Sequence, residues 1–344
     1  MNKLSFALVL LIILGFVSCK TDIDVNAEPT DITIVYGLIN PNDTVHYLKI
    51  NKAFIGEGSA LDLAGNASNY NYAADELDVT IEGNGNVYSL IRVINEIPKD
   101  AGIFDNNTNV LYKFNEPLIN KNAIYTLKIV NTKTGKEVSS ETKIVGTLGV
   151  SVRKAVRLWN GVDNYLNEPI DVNIGEHIGR VQAFFVFNYN EYYTDGSSVK
   201  KEVLMSLGEK LAANSSDNVL NFTLKGSSFF DNIAANVSNP STIPHFSHRH
   251  LDNFTIRLSV AGSELTTYME AEAPSTTVNQ DKPSYTNIID GVGIFSSRTR
   301  YEWKSGYDIT SRINFNGETI TKLDELGLGF CWSTLSTATA KCPF

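Results

Sequence analysis

Cysteine, methionine and charge are all scarce in this chain of 344 residues. There are 3 cysteines and 3 methionines, and charged residues make up only 19%. With 29 basic side chains against 38 acidic ones the balance is −9, so the chain lacks the dense basic face that a nucleic acid partner demands. Catalytic signatures are missing too. No Gly-x-Ser-x-Gly elbow, no His-Glu-x-x-His pair and no Ser-x-x-Lys helix start occurs, so a non-enzymatic role is expected. Carboxylate pairs of the kind that cleave glycosides need only converge in space, which leaves a hydrolase as a distant alternative. After residue 17 there is no apolar run of the ~20 residues that a membrane-spanning helix requires.

Strand formers and turn formers dominate what is present. Tyr (15) and Phe (17) are abundant and Asn and Thr recur throughout, a mixture that points to β-sandwiches. More than one domain is expected from the length. The expected architecture is mostly β: an N-terminal immunoglobulin- or fibronectin-like β-sandwich over residues 31–146, then a second β-rich domain with one short helix over 147–344.

The first residues are read as targeting, not fold. Asn2 and Lys3 precede an apolar run from Phe6 to Val17 of about a dozen residues, too short to span a bilayer and fitting a secretory signal over 1–18. Ser18-Cys19 at its end resembles the bacterial lipoprotein signal, although Phe16 stands where that signal usually carries Leu. The resemblance implies that Cys19 becomes the fatty-acylated first residue, with 19–30 as a polar tether containing Pro29. Acyl chains contribute roughly 0.8 kcal/mol per buried methylene, enough for two or three of them to hold a soluble domain at a membrane. The other cysteines, Cys331 and Cys342, are expected to form a disulfide in an oxidising compartment. A redox or metal dithiol would want a tight Cys-x-x-Cys spacing.

Along the chain, Ile32–Ile39 and Val45–Asn51 flank Asn40-Pro41-Asn42-Asp43 as a β-hairpin. An irregular insert rich in Gly, Ala, Ser and Asn runs from Gly56 to about Ala74. Strands resume at Leu77–Ile81 and Val87–Val93, and Tyr125–Val130 with Lys136–Val145 forms another hairpin whose residues resemble the late strands of immunoglobulin-like modules. In the second domain, strands are expected at Arg180–Tyr193, Ser198–Ser206, Asn218–Leu224, Phe254–Val260, Gly291–Ser296, Arg300–Trp303, Ile309–Phe315 and Gly329–Trp332. A helix is expected over Gly262–Glu272, capped by Ser263, with Leu265, Tyr268 and Met269 on one face and Glu264, Glu270 and Glu272 in solvent.

The lipoprotein start, the Val35-Tyr36-Gly37-Leu38-Ile39-Asn40-Pro41 hairpin and the run Asn287-Ile288-Ile289-Asp290-Gly291-Val292-Gly293-Ile294-Phe295 together resemble an uncharacterised family of Bacteroidota outer-membrane lipoproteins. The preceding Arg257–Val260 strand and the helix bearing Tyr268 belong to the same pattern. The resemblance implies a lipid-anchored, surface-facing protein that partners a β-barrel transport receptor, with no cofactor. Lys20–Asp24 is similar to the acidic export tags of such lipoproteins, and Asp43-Thr44-Val45 to an O-glycosylation site at Thr44.

Residue chemistry offers two binding leads. His245, His248 and His250 lie within six residues, and an extended backbone would set His248 and His250 on one face. That suits a metal, yet no carboxylate or cysteine stands at a ligand spacing, so a solvated loop is the competing account and no metal site is assigned. Tyr70, Tyr72, Tyr189, Tyr192 and Tyr193 could stack on sugars or pack on a partner if they form one exposed patch, core packing being the alternative. The glycines around Gly291–Phe295 suit a strand packed closely on another backbone, since a phosphate loop would need a following helix. The functional expectation is therefore a binding or accessory subunit of an outer-membrane transport system, with an adhesive or structural surface module second and an extracytoplasmic hydrolase third.

Overall fold

An almost wholly apolar run builds β1 (Thr33–Ile39) and a more alternating one builds β2 (Val45–Lys52), and in both burial follows a period of two, with Val35, Ile39, Leu48 and Ile50 turned inward. The computed structural model describes residues 32–53, 59–100, 102, 104, 107–273, 284–305 and 314–331. The signal peptide, Cys19, the tether, Cys342 and most of the strand expected at Ile309–Phe315 lie outside the described residues. The hairpin forms as expected, with Gly37 opposite Leu48 and its turn closed by Asp43 N–H donating to Asn40 O at 3.0 Å.

Two short helical turns, α1 (Ala60–Ala64) and α2 (Ala67–Tyr70), occupy the insert expected to be irregular. Ser59 Oγ and Asn66 Oδ1 cap them. Next come β3 (Leu77–Gly83) and β4 (Asn86–Ser89), joined by Asn84-Gly85 with both φ values positive, as a two-residue hairpin asks. The strand expected over Val87–Val93 is in fact two. It breaks at Leu90, and β5 (Ile91–Ile94) crosses to the other sheet to pair with β6 (Val110–Asn115). The period-two pattern continues across the break, so only tertiary pairing separates the halves.

With β7 (Ile124–Asn131) and β8 (Glu137–Lys143) the first sandwich is complete. Its sheets run β1-β2-β6-β5 and β4-β3-β7-β8. This is the A-B-E-D and C′-C-F-G strand order of immunoglobulin-like sandwiches. A second mark of that fold is Tyr125, fully buried at the start of β7, whose phenol oxygen accepts the Asn120 N–H at 3.0 Å across the corner. Tyr125→Phe is expected to cost about 1–2 kcal/mol, the amount for a partly buried N–H left without its acceptor, readable as a lower urea midpoint at unchanged slope.

The chain passes from one core to the other at Ile144 and Val145. The second unit comprises β9 (Leu148–Ser151), β10 (Ala155–Val156), β11 (Asn167–Ile174), β12 (Ile178–Tyr193), β13 (Ser198–Leu211), β14 (Val219–Lys225), α3 (Gly226–Asn236), β15 (Phe246–Gly262), α4 (Ser263–Glu272), β16 (Gly291–Lys304), β17 (Asn314–Phe315), α5 (Gly317–Glu325) and β18 (Phe330–Cys331). Long antiparallel strands β13-β12-β15-β16 form one layer and β14-β11-β9 the other. Phe185, Phe187, Phe229, Phe254 and Phe315 interlock in the core, with ring centroids 4.9–6.3 Å apart.

Among the described residues of this unit stand three α-helices where the sequence marks one. α3 and α5 both open on turn-forming residues, Gly226-Ser227-Ser228 and Asn316-Gly317, which conceal the apolar stripes Phe229, Phe230, Ile233 and Ile320, Leu323 behind them. α4 lies where expected, but its cap and buried face differ. Ser296 Oγ, not Ser263, receives the Leu265 N–H at 3.2 Å, and the buried residue is Thr266, seated over Gly179, where a Cβ would come within 2.3 Å of the threonine oxygen.

Strand β16 belongs to both units. It pairs antiparallel with β15 and parallel with β1, Thr33 opposite Gly291 through Ile39 opposite Ser297, making one continuous sheet. Ile288 and Phe295 enter the first sandwich's core from the far end of the sequence.

Candidate functional site

The outer face of β13-β12-β15-β16 carries a cleft of about 490 Å³. Its residues follow from strand alternation. On β16, Phe295, Ser297 and Thr299 are buried, which turns Arg298 and Arg300 outward. Across the sheet Ala261 faces Arg298 and Ser259 faces Arg300, and beyond them lie Arg180 and Gln182 on β12 and Glu209 on β13. Two walls close the ends. α4 contributes Leu265 and Met269, and the β1–β2 turn contributes Asn40 and Asp43. That turn is fastened by Asn42 Nδ2, which donates to Thr299 Oγ1 at 2.9 Å and to Arg300 O at 3.3 Å.

The arginines differ in how they are satisfied. Arg180 donates to Glu209 Oε1 at 2.9 Å and to Glu270 Oε1 at 3.5 Å, but its buried Nε has no partner. Arg298 and Arg300 make no ion pair or side-chain hydrogen bond among the described residues. Neighbouring Arg257 shows the opposite condition: Glu302 Oε1 at 2.8 Å and Glu202 Oε2 at 3.3 Å hold it and raise its pKa, the Glu302 hydrogen bond contributing most. Arg257 lies in a second cleft of about 420 Å³ where Lys200, Lys304, Glu202 and Glu302 balance one another. An acidic chain thus leaves two adjacent arginines uncompensated at one place.

Expected site residues fall elsewhere. Tyr70 and Tyr72 are buried, not exposed: Tyr72 shares a 2.8 Å hydroxyl hydrogen bond with Thr33 and Tyr70 meets Phe104 edge-on. Tyr189 is also core. Tyr192 and Tyr193 are half-buried on the other unit, so the tyrosines do not form one exposed patch. Tyr192 stacks on His248 at 4.7 Å, and Tyr193 donates to Glu191 Oε1 at 2.8 Å. His248 and His250 do share a face of β15, with Arg249 turned inward between them, and burial lowers the His248 pKa. His245 sits at the preceding turn with φ +56°. No group of three or more His, Cys, Asp or Glu side chains is placed to hold a metal among the described residues. Thr44 is exposed beside the cleft's rim, and Cys331 is buried and disulfide-bonded.

No protein-family model matches the chain, and no curated protein matches it. The cleft therefore rests on geometry alone. Sequence reasoning missed it, although Arg298-Thr299-Arg300 within a strand already places two like charges on one face.

Proposed function

We propose that this chain is a non-enzymatic, lipid-anchored outer-membrane lipoprotein that acts by binding, as a ligand-handling or accessory subunit beside a β-barrel transport receptor. The observation that carries the binding part is the arginine-lined cleft. Its lining comes from the β1–β2 turn, α4 and four strands, β12, β13, β15 and β16, held in register in one sheet, and its volume falls within the roughly 300–1,000 Å³ of small-molecule sites. The anchoring part rests on the Val17-Ser18-Cys19 start, and the partner on the family resemblance. No helix among the described residues is long and apolar enough to cross a membrane, which a lipid tether does not require.

Two measurements test this reading. Cys19→Ala should move the protein from the membrane pellet to the soluble fraction, with loss of the acyl mass from the N-terminal peptide. Affinity isolation from detergent-solubilised membranes should recover a β-barrel protein in stoichiometric amount. Membrane retention of the alanine variant would refute the anchor, and isolation of the lipoprotein alone would refute the transport role.

A further inference from the structure

We propose that the cleft between α4, the β1–β2 turn and β16 binds a sugar acid, that is, a hydroxylated ring bearing an oxyanion, with Arg298 and Arg300 gripping the anionic group. This rests on the cleft being the protein's ligand site. Residues two apart on a strand stand roughly 7 Å apart and project to one side, so two guanidinium forks can converge on a single carboxylate or phosphate. Both side chains lack a carboxylate partner, although the chain carries nine more acids than bases. The orphaned Nε of Arg180 supplies a third donor site in the same lining.

The remaining walls favour a polyol over a bare inorganic anion. Asp43, held by Asn40 Nδ2 at 2.9 Å, and the side chains of Gln182 and Ser259 offer acceptors that ring hydroxyls can satisfy. Asp43 would repel a free oxyanion that drifted toward the turn, so the charge is confined to the β16 side. Leu265 and Met269 on α4 give an apolar wall for the C–H face of a ring, with Met269 41% exposed.

Isothermal titration of the full chain in detergent, with glucose, glucuronate, glucose 6-phosphate and inorganic phosphate as probes, tests this. Glucuronate or glucose 6-phosphate is expected to bind at least tenfold more tightly than glucose and than phosphate, and the better of the two tells whether carboxylate or phosphate is the preferred anion. Raising salt should weaken that binding. The R298Q/R300Q double variant should lose at least tenfold in affinity with an unchanged melting temperature, because both side chains are exposed and make no bond. K200Q, in the second cleft, should bind as the parent does. Equal affinity for glucose and the anionic sugars, phosphate binding as tightly as they do, or an unaffected double variant would overturn the proposal. If none of the probes binds while a β-barrel partner is still recovered, the sugar-acid assignment falls and the transport role stands.

Discussion

Arg249→Ala is expected to destabilise the second unit by about 3–5 kcal/mol, the amount typical when one member of a buried ion pair is removed. Arg249 and Glu191 are both fully buried. The guanidinium donates to Glu191 Oε2 through Nε at 2.9 Å and Nη2 at 2.7 Å, and to the carbonyls of Leu328 and Ser238. Lys201 Nζ at 2.7 Å and Tyr193 OH at 2.8 Å satisfy the other carboxylate oxygen. Truncation would strip two carbonyls of their donor and leave Glu191 with Lys201 as its one cationic partner among the described residues. Lys201→Ala should cost far less, about 1 kcal/mol, since that side chain is 38% exposed and its charge is partly screened.

The same network sets a pH dependence. Burial on its own would raise the Glu191 pKa, but hydrogen bonds from Lys201, Tyr193 and Arg249, with the guanidinium charge, outweigh it and hold the carboxyl below its usual range. A carboxylate with a depressed folded pKa stabilises the fold above the unfolded value, about 4.3 for Glu, and that stability is lost as pH falls through the folded value. Urea unfolding followed from pH 7 downward should show the parent losing stability only below about pH 4. In Arg249→Ala the desolvation of Glu191 is less opposed, so its folded pKa rises, less stability is lost on protonation, and the variant's deficit against the parent should narrow as pH falls below about 4. Equal midpoints for parent and variant across that range would show that the pair contributes nothing.

Local patterns were legible in the residues, and long-range adjacency was not. The β1–β2 and β7–β8 hairpins follow from strand-forming runs and turn residues alone, and the residues of the second resemble immunoglobulin-like strands, whereas the bond from Asn120 N–H to the Tyr125 hydroxyl arises only in the folded corner. The break at Leu90 escaped because both halves carry the same period. Tyr70 and Tyr72 looked like loop aromatics, yet α1 and α2 fold the insert back and bury them. The cleft joins Arg180 to Arg298 and Arg300 through register across three strands, and no sequence period encodes that neighbourhood.

The run Asn287–Phe295, which carries part of the family resemblance, works in the structure as a clasp. Asn287 closes two hydrogen bonds on the Phe295 backbone, Nδ2 donating to its carbonyl at 2.7 Å and Oδ1 accepting its N–H at 2.9 Å. Its own carbonyl accepts Ser140 Oγ at 2.7 Å, and Ile289 pairs with Ser139 on β8. One segment thereby ties the edge of one sheet to the strand shared by both cores. Farther along, Ser297 Oγ spans the passage between the cores, donating to Lys143 O at 2.8 Å and accepting Val145 N–H at 3.0 Å.

Gly293→Ala, within the same run, should part β16 from β1 and cost about 3 kcal/mol or more. Gly293 has φ +114°, and a Cβ there would stand 2.0 Å from Val35 O, a backbone atom on β1 that cannot move without separating the parallel pair. Positive φ alone costs a non-glycine residue about 1–3 kcal/mol, and the clash comes on top of it. Gly135→Ala is the matched control. Its φ is +74° with nothing within 4 Å of the added carbon, so it carries the conformational cost without the clash. The difference between the two variants in urea unfolding isolates the close approach of β16 to β1. Hydrogen exchange should localise the damage, with amide protection falling across Thr33–Ile39 and staying high in the middle of β12 and β15, whose core does not depend on that seam. If Gly293→Ala were no less stable than Gly135→Ala, with β1 still protected, the contact between β16 and β1 would be shown to be loose, and the first sandwich would have to hold together without its borrowed strand.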